Sequence, residues 1–219
     1  MSKRSLAVMW ILVLISFLIG LWFYPRLPAT VASHWNGHGQ VDGYTSRFWG
    51  AFLIPLIALG IGLLLTLIPL IDPLRKNIAS FRPYYEAFAV IFTLYLIFIQ
   101  LFELLWNVGV HLNPNVVFPV GIGLLFLYLG FFLEHVKPNW FIGIRTPWTL
   151  SSERVWEKTH RLGAALFKAL GIAMIAAIAL PSRIFIWIIL GGTIAVTLAL
   201  TVYSYWLYER EQKVSGKRA

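Results

Sequence analysis

The chain has 219 residues, of which 59% are hydrophobic, 16% aromatic and only 12% charged, and its formal net charge is +9. Soluble domains are roughly half apolar and about a quarter charged, so this composition excludes an ordinary soluble protein and indicates an integral membrane protein. Because cysteine is absent, disulfides, thiolate metal sites and cysteine nucleophiles are excluded. Basic loops on one side of a membrane explain the positive charge more economically than nucleic acid does, and no direct nucleic-acid contact is expected.

Six apolar segments predict an all-α, polytopic protein of the cell membrane. A helix needs about 20 predominantly apolar residues to cross the roughly 30 Å of hydrocarbon in a bilayer. The predicted spans cover residues 6–24, 49–71, 86–108, 116–136, 164–180 and 184–208. The first span follows Lys3 and Arg4, as a cleaved signal peptide would, but nineteen uninterrupted residues favour a membrane anchor.

Lys and Arg are distributed unequally between the two sides of these spans. The amino terminus, second loop, fourth loop and tail hold two, three, five and four of them, and the opposite side has only Arg26, Arg47 and Arg183. The basic residues of the tail are Arg210, Lys213, Lys217 and Arg218. Because loops rich in Lys and Arg stay in the cytoplasm, both termini are predicted to be cytoplasmic.

The first loop, residues 25–48, is therefore predicted to face outward, with turns at the Asn-Gly pair that starts at Asn36 and the Asp-Gly pair that starts at Asp42. His34, His38 and Asp42 repeat every four residues, a spacing that on a helix aligns nitrogen and oxygen ligands for zinc. Glycines interrupt any such helix, so hydrogen bonds from His34 and Asp42 to backbone groups across turns are the favoured interpretation. Zinc at these three residues stays the alternative, and no other cofactor is expected.

An acidic residue lies inside the third span. Gln100, Glu103 and Asn107 fall near one helical face close to the outer end, and we expect them to face the bundle interior. An acid inside a span is costly and typically marks a partner or a pathway. With His111 and the histidines of the first loop, Glu103 is compatible with binding zinc, a proton or a peptide.

Two other classes of protein stay open on these residues alone. A metal-dependent intramembrane enzyme requires four side chains to converge, namely His34, Asp42, Glu103 and His111. A small-solute or proton-coupled transporter requires a polar path from Glu103 to the threonines of span six. These are Thr193, Thr197 and Thr201. Hydroxyls that bond their own helix or a neighbour explain the threonines more simply.

The fourth loop, residues 137–163, combines an apolar patch at 140–144 with several basic residues. Ser151 is predicted to cap a helix whose first turn contains Glu153, and Glu157 is predicted to pair with Arg161 four residues on. One interpretation is an interfacial helix whose basic residues contact anionic lipid. The other is a surface for a partner, since long loops in compact proteins are often functional.

Three stretches resemble a known family. Residues 139–167, NWFIGIRTPWTLSSERVWEKTHRLGAALF, resemble the signature of the SdpI family of bacterial toxin-immunity membrane proteins. Residues 27–44, LPATVASHWNGHGQVDGY, resemble the domain of unknown function DUF1648 that often precedes it, and IDPLRKN at 71–77 is a third match. The resemblance predicts a DUF1648-like region over 1–110, with spans one to three and the loop 25–48. An SdpI-like region would follow over 111–219, with spans four to six and the loop 137–163.

What the resemblance implies is an immunity and signalling protein that is not itself an enzyme. Its partners would be the lipid bilayer, a secreted peptide toxin on the outer face, and a transcriptional repressor sequestered on the cytoplasmic face. The candidate outer binding residues are His34, Asn36, Asp42, Glu103 and His111. The candidate residues of the cytoplasmic partner loop are Asn139, Arg145, Thr146, Pro147, Trp148, Trp156, His160 and Arg161. One departure from the family pattern is Phe131, which stands where a polar Asn is expected after Gly130.

Overall fold

The computed structural model describes residues 1–214 and Gly216, so Lys217 and Arg218 of the predicted basic tail lie outside the described residues. The eight helices of the described part are α1 Lys3–Phe23, α2 Arg47–Ile71, α3 Arg75–Ser80, α4 Arg82–Asn107, α5 Pro114–Leu133, α6 Pro147–Ser151, α7 Glu153–Ala176 and α8 Arg183–Val214. The two strands are β1 Thr30–Trp35 and β2 Val41–Ser46. Single 3₁₀ turns at Tyr24–Arg26 and Ala177–Ala179 extend α1 and α7.

Within the described residues, six helices are long and apolar enough to cross a membrane: α1, α2, α4, α5, α7 and α8. This confirms the predicted all-α polytopic fold. An even number of spans places both termini on one side, called the terminal side here. The β-hairpin and the α4–α5 connection lie on the other, the hairpin side. That the terminal side is cytoplasmic remains a prediction from the charge distribution.

The fifth span begins earlier than predicted, because the expected interfacial helix and the span are one continuous helix, α7. Its cap is Ser152, whose hydroxyl oxygen accepts a hydrogen bond from the Val155 amide at 3.3 Å. Ser151, the predicted cap, is instead the last residue of α6. Glu153 lies in the first turn of α7, as predicted, where its negative charge suits the helix dipole.

The first loop is a β-hairpin rather than a series of turns. Strands β1 and β2 pair antiparallel, and the turn between them is closed by a 2.9 Å hydrogen bond from the Asn36 amide to the Gln40 carbonyl. The predicted turn at Asn36 is therefore confirmed. The turn predicted at Asp42 is wrong, because Asp42 and Gly43 lie inside β2. A Cβ atom at Gly43 would lie 2.7 Å from the His34 Cβ, so glycine here permits close strand pairing.

Helix α1 is held inside the bundle by a buried polar contact. The Ser16 hydroxyl donates to Gln100 Oε1 at 2.6 Å, and Gln100 Nε2 donates back to the Ser16 carbonyl at 2.9 Å. Both residues are fully buried, so the expectation that Gln100 faces the bundle interior is confirmed. Because each polar group has a partner, the pair satisfies hydrogen bonding within the membrane.

Helix α5 approaches α7 closely along its glycines. A Cβ at Gly123 would lie 2.8 Å from the carbonyl oxygen of Gly171, and a Cβ at Gly130 would lie 2.8 Å from that of Ala164. Small residues at such positions let helix backbones approach in a membrane. Phe131, which replaces the expected polar residue, is 55% exposed, and the Lys168 Nζ lies 4.8 Å from the centroid of its ring.

Candidate functional sites on the two sides of the membrane

The hairpin is fixed to the end of α4 by Asn107. Its Oδ1 accepts from the Ala32 amide at 2.7 Å and its Nδ2 donates to the Ala32 carbonyl at 2.9 Å. The Asn107 side chain thus makes the two hydrogen bonds that a neighbouring strand would make with Ala32. Trp35 of β1 also packs on Phe102 and Trp106, with ring centroids 4.8 and 5.4 Å apart. The sequence places Asn107 on the correct face but gives no signal for this partner.

Three of the candidate outer residues form the exposed part of the hairpin. His34 Nδ1 lies 2.5 Å from Asp42 Oδ1 across the strands, and the two side chains are 69% and 44% exposed. Asn36 Oδ1 accepts from the amides of His38 and Gln40 at 2.9 and 3.1 Å and so shapes the turn. The two side chains thus bond each other, whereas the favoured interpretation expected bonds to backbone groups across turns. Exposed pairs contribute at most about 1 kcal/mol, so the pair has little effect on stability.

The two alternatives, a metal-dependent enzyme and a transporter, depend on a metal site and on a polar path through the membrane. Within the described part of the chain, no group of three His, Cys, Asp or Glu residues is arranged to hold a metal ion, so the predicted zinc ligands His34, His38 and Asp42 do not form a site. In α8, the Thr197 and Thr201 hydroxyls each donate at 2.8 Å to the carbonyl one turn earlier. These bonds match the simpler interpretation at two of the three threonines, whereas the buried Thr193 hydroxyl has no hydrogen-bond partner among the described residues.

Glu103 is half-buried and solitary. Its carboxylate lies beside Gly50, with Oε1 3.5 Å from the position of a Cβ there. Among the described residues the carboxylate has no hydrogen bond or ion pair, so neither Gln100 nor a histidine holds it, and Asn107 Nδ2 bonds Glu103 only at its backbone carbonyl, at 2.8 Å. His111 is exposed and packs on Trp106, with centroids 4.6 Å apart. The predicted cluster of Glu103 with histidines is therefore not joined by bonds.

On the terminal side, Asn139 folds the start of the fourth loop. It is fully buried, and its Nδ2 donates to the carbonyls of Lys137 and Ile142 at 2.9 Å each. Its Oδ1 accepts from the amides of Phe141 and Ile142 at 2.9 and 2.6 Å. All four hydrogen-bonding positions of the amide are filled by backbone groups, so this residue shapes the loop and does not face a partner.

The second loop is bonded to the fourth. Asp72 is 2% exposed, and its two carboxylate oxygens accept from the amides of Leu74 at 2.6 Å and Trp140 at 3.0 Å. Asn77 Nδ2 donates to the Pro138 carbonyl at 2.8 Å. Two of the stretches that carry the family resemblance, 71–77 and 139–167, thus form one assembly. Sequence reasoning missed both residues, although an acid at the very end of a span was an available signal.

Trp156 and His160 are buried residues of α7 to which the fourth loop and the residue before it are hydrogen-bonded. Trp156 is fully buried, and its indole Nε1 donates to the Val136 carbonyl at 2.9 Å. His160 Nδ1 lies 2.9 Å from the Trp156 carbonyl, which assigns the proton to this nitrogen, and Nε2 accepts from the Ile144 amide at 3.0 Å. Gly143 passes over the imidazole with φ +104°, where a Cβ would collide with Nε2.

The remaining residues of the partner loop divide into attached and exposed ones. Thr146 and Thr149 cap α6 reciprocally, and the Thr146 hydroxyl also lies 3.0 Å from the Ser204 hydroxyl of α8. Trp148 packs on Tyr205 of α8 with centroids 5.1 Å apart. Exposed on the loop are the candidates Arg145, Pro147 and Arg161 together with the rings Trp140 and Phe141. These exposed residues are the surface that a partner can reach.

The charges at the base of the loop are paired differently from the prediction. Glu157 forms its ion pair with Lys137, at 3.6 Å, and among the described residues no pair joins it to Arg161. Lys137 is the first residue of the fourth loop, and the fold of the loop places its side chain beside Glu157 of α7. Lys137, Glu157 and Arg161 line a cleft of about 400 Å³ beside His160. The unpaired Arg161 guanidinium adds to the exposed positive charge.

Comparison with known proteins bears on both regions. Residues 135–204 match the model of the SdpI/YfhL protein family, and residues 11–59 match that of a domain of unknown function, DUF1648. Together with the six spans, these matches define a multi-pass plasma-membrane protein with an SdpI/YfhL region. The chain is 28% identical over 218 residues to Immunity protein SdpI of Bacillus subtilis (strain 168), with 100% of both chains covered. The predicted resemblance is confirmed; no solved structure matches the chain.

Proposed function

We propose that the protein is a membrane immunity protein that protects its cell from a secreted peptide toxin met on the hairpin side. The observation that carries this proposal is the similarity to Immunity protein SdpI over the full length of both chains. The exposed surface of the hairpin side supports it. Tyr44 of β2 is 65% exposed, and Phe48 and Trp49, in the first turn of α2, are 48% and 47% exposed. Such aromatic rings suit contact with an amphipathic peptide at the membrane border.

The second part of the proposal is that occupancy of the hairpin side is reported on the terminal side through α4. This helix holds the hairpin through Asn107, and near its other end the Glu86 carboxylate accepts from the hydroxyls of Ser2 and Ser5 at 2.9 and 2.7 Å. The adjoining second loop is bonded to the fourth through Asp72. A continuous series of contacts therefore runs from one side of the membrane to the other.

On the terminal side, we place the contact with a transcriptional repressor at Arg145. This side chain is exposed, and its Nη1 donates to the Trp140 carbonyl at 2.5 Å, which fixes the direction of the guanidinium. The remaining N–H groups form a planar fork that can bind a carboxylate in two places, which a lysine cannot reproduce. Pro147 and Arg161 are also exposed.

The protective function is tested by survival. The chain is expressed in Bacillus subtilis lacking its own SdpI and challenged with the toxin that SdpI resists, and separately with peptides secreted by the source bacterium of this chain. Cells that carry the chain are expected to survive at toxin concentrations that kill cells with an empty vector. Death in both challenges, with the protein present in the membrane fraction, would rule out the immunity function.

Recruitment of a repressor is tested separately with Arg145→Lys. The substitution keeps the charge but removes the fork, so we expect loss of repressor from the membrane fraction while toxin survival is kept. Lys76→Ala is the matched control, because Lys76 is an exposed basic residue of the second loop on the same side. Equal, small effects of the two substitutions would mean that the fourth loop acts only as an interfacial tether.

A further inference from the structure

A basic crevice lies on the terminal side where the start of α7 runs beside the end of α8. It encloses about 370 Å³. Arg154 and Lys158 of α7 form one wall, and Tyr203, Trp206 and Arg210 of α8 form the other. The crevice is distinct from the fourth-loop surface around Arg145, and neither the family resemblance nor the proposed function assigns a role to it.

The cations of the crevice are available to a ligand. Arg154 and Lys158 are exposed, and within the described residues neither has an ion pair or hydrogen bond from its side chain. The Arg210 guanidinium lies 4.0 Å from the centroid of the Trp206 ring, which orients it beside the opening. The single acid in the lining, Glu211, already accepts a 2.6 Å hydrogen bond from the Ser152 hydroxyl. The crevice therefore has an excess of positive charge.

The length of α8 sets the depth of this crevice in the membrane. Its 32 residues extend about 48 Å at 1.5 Å per residue, which is longer than the roughly 30 Å hydrocarbon layer. About 20 residues from the start of α8 reach Tyr203, so Tyr203 and Trp206 fall at the interface that tryptophan and tyrosine prefer. Arg210 lies one turn beyond Trp206, about 6 Å further out, at the level of the lipid phosphates.

We propose that this crevice binds the headgroup of one anionic phospholipid. Arg154, Lys158 and Arg210 would surround the phosphate, because guanidinium groups bind phosphate oxygens in pairs. The acyl chains would run down the apolar side of α8 below Trp206, where Val202 and Leu198 are 65% and 61% exposed. A soluble acidic ligand would satisfy the charges but not this apolar surface, so the position favours a lipid over a cytoplasmic partner.

The bound lipid also has a structural consequence. Within the described residues, helix α8 packs mainly on α7, with smaller contacts to α6 and the Ala177–Ala179 turn, and much of it is exposed. A headgroup held by Arg154 from α7 and Arg210 from α8 would join the two helices at their terminal ends. Anionic lipid is therefore expected to stabilise the α7–α8 pair.

The proposal is tested on the purified full-length protein in detergent micelles by native mass spectrometry. Micelles are titrated with phosphatidylglycerol or with phosphatidylcholine, and retained lipids are counted. Wild type is expected to retain one phosphatidylglycerol at least tenfold more tightly than phosphatidylcholine. The double variant Arg154→Gln/Arg210→Gln is expected to lose this preference. If it does not fold, Arg154→Gln/Lys158→Gln replaces it, because both of these side chains are exposed.

The control is Arg75→Gln/Lys76→Gln, which removes two exposed positive charges from the second loop on the same side. General attraction of anionic lipid to basic residues is screened and depends on the number of charges, so it predicts equal losses in both double variants. A defined site predicts a loss at least tenfold greater in the crevice variant. Equal losses would overturn the proposal. Displacement of phosphatidylglycerol by millimolar inorganic phosphate, or by a hexaglutamate peptide, would equally overturn it, because the ligand would then not need acyl chains.

Discussion

The fourth loop is predicted to open locally when Asn139 is replaced by Ala. The side chain is fully buried and makes four hydrogen bonds to backbone groups between residues 137 and 142. A neutral hydrogen bond contributes a net of about 1 kcal/mol, so the four together stabilise the folded loop by about 4 kcal/mol. Every 1.4 kcal/mol is tenfold in an equilibrium constant, so Asn139→Ala should raise the opening constant of the loop about a thousandfold.

Amide hydrogen exchange in detergent micelles measures this opening, because exchange of protected amides follows local unfolding. The Phe141 and Ile142 amides should lose protection in Asn139→Ala, while amides within α5 and α7 keep theirs. Asn115→Ala is the matched control, since the Asn115 side chain makes only one long bond, 3.4 Å, to the His38 carbonyl. Unchanged protection at residues 141 and 142 would refute the assignment of Asn139 as the organiser of the loop. So would an equal loss across both helices.

Three further predictions test topology, the solitary acid and the fourth loop. In this cysteine-free chain, Ser46→Cys and Ser151→Cys should react with an impermeant thiol reagent from opposite sides of the membrane, the first from outside, and labelling from one side would contradict six spans. Glu103→Gln should change the free energy of unfolding by less than about 0.5 kcal/mol, because the carboxylate has no bonded partner; a larger loss in thermal unfolding would reveal one. Gly143→Ala should cost more than Gly109→Ala, although both positions have positive φ (+104° and +94°), because only at Gly143 does the new methyl group meet the buried histidine of α7. The strain alone costs about 1–3 kcal/mol, and equal melting temperatures of the two variants would show that the contact is unimportant.

The six spans were predictable because each is fixed by a local quantity, the length of an apolar segment. The hairpin was not predicted as strands. Alternating exposure along β2 is a period-two pattern, but a strand of only six residues between two spans resembles a loop until its pairing strand is known. The start of α7 was misplaced for a related reason. Its first turns are amphipathic and contain several charged residues, so hydropathy marks only the uniformly apolar part of a helix that begins at Glu153.

The sequence was enough to propose residues for the candidate sites, but it did not reveal which of these residues contact one another. The fourth loop was singled out from its length and charge, yet its bonds to Asp72 and Asn77 join residues 61 to 68 positions apart, which local sequence patterns do not reveal. The Glu157–Arg161 pair had the correct helical spacing, but Lys137 reaches the same carboxylate from outside the helix. Spacing rules describe an isolated helix, and here the folded loop supplies a competing cation.

Two asparagines make the irregular segments on opposite sides of the membrane possible. Backbone groups near the hydrocarbon must find partners inside the protein, because little water is available to them. Asn107 supplies those partners for β1, and Asn139 supplies them for the start of the fourth loop. Residues chosen by resemblance to a family therefore include some that fold a segment and others that are free to contact a partner. The exposure of the side chain distinguishes these two kinds of residue. By that criterion Asn139, Trp156 and His160 hold the loop, whereas the exposed Arg145 is the residue at which we propose that a partner binds.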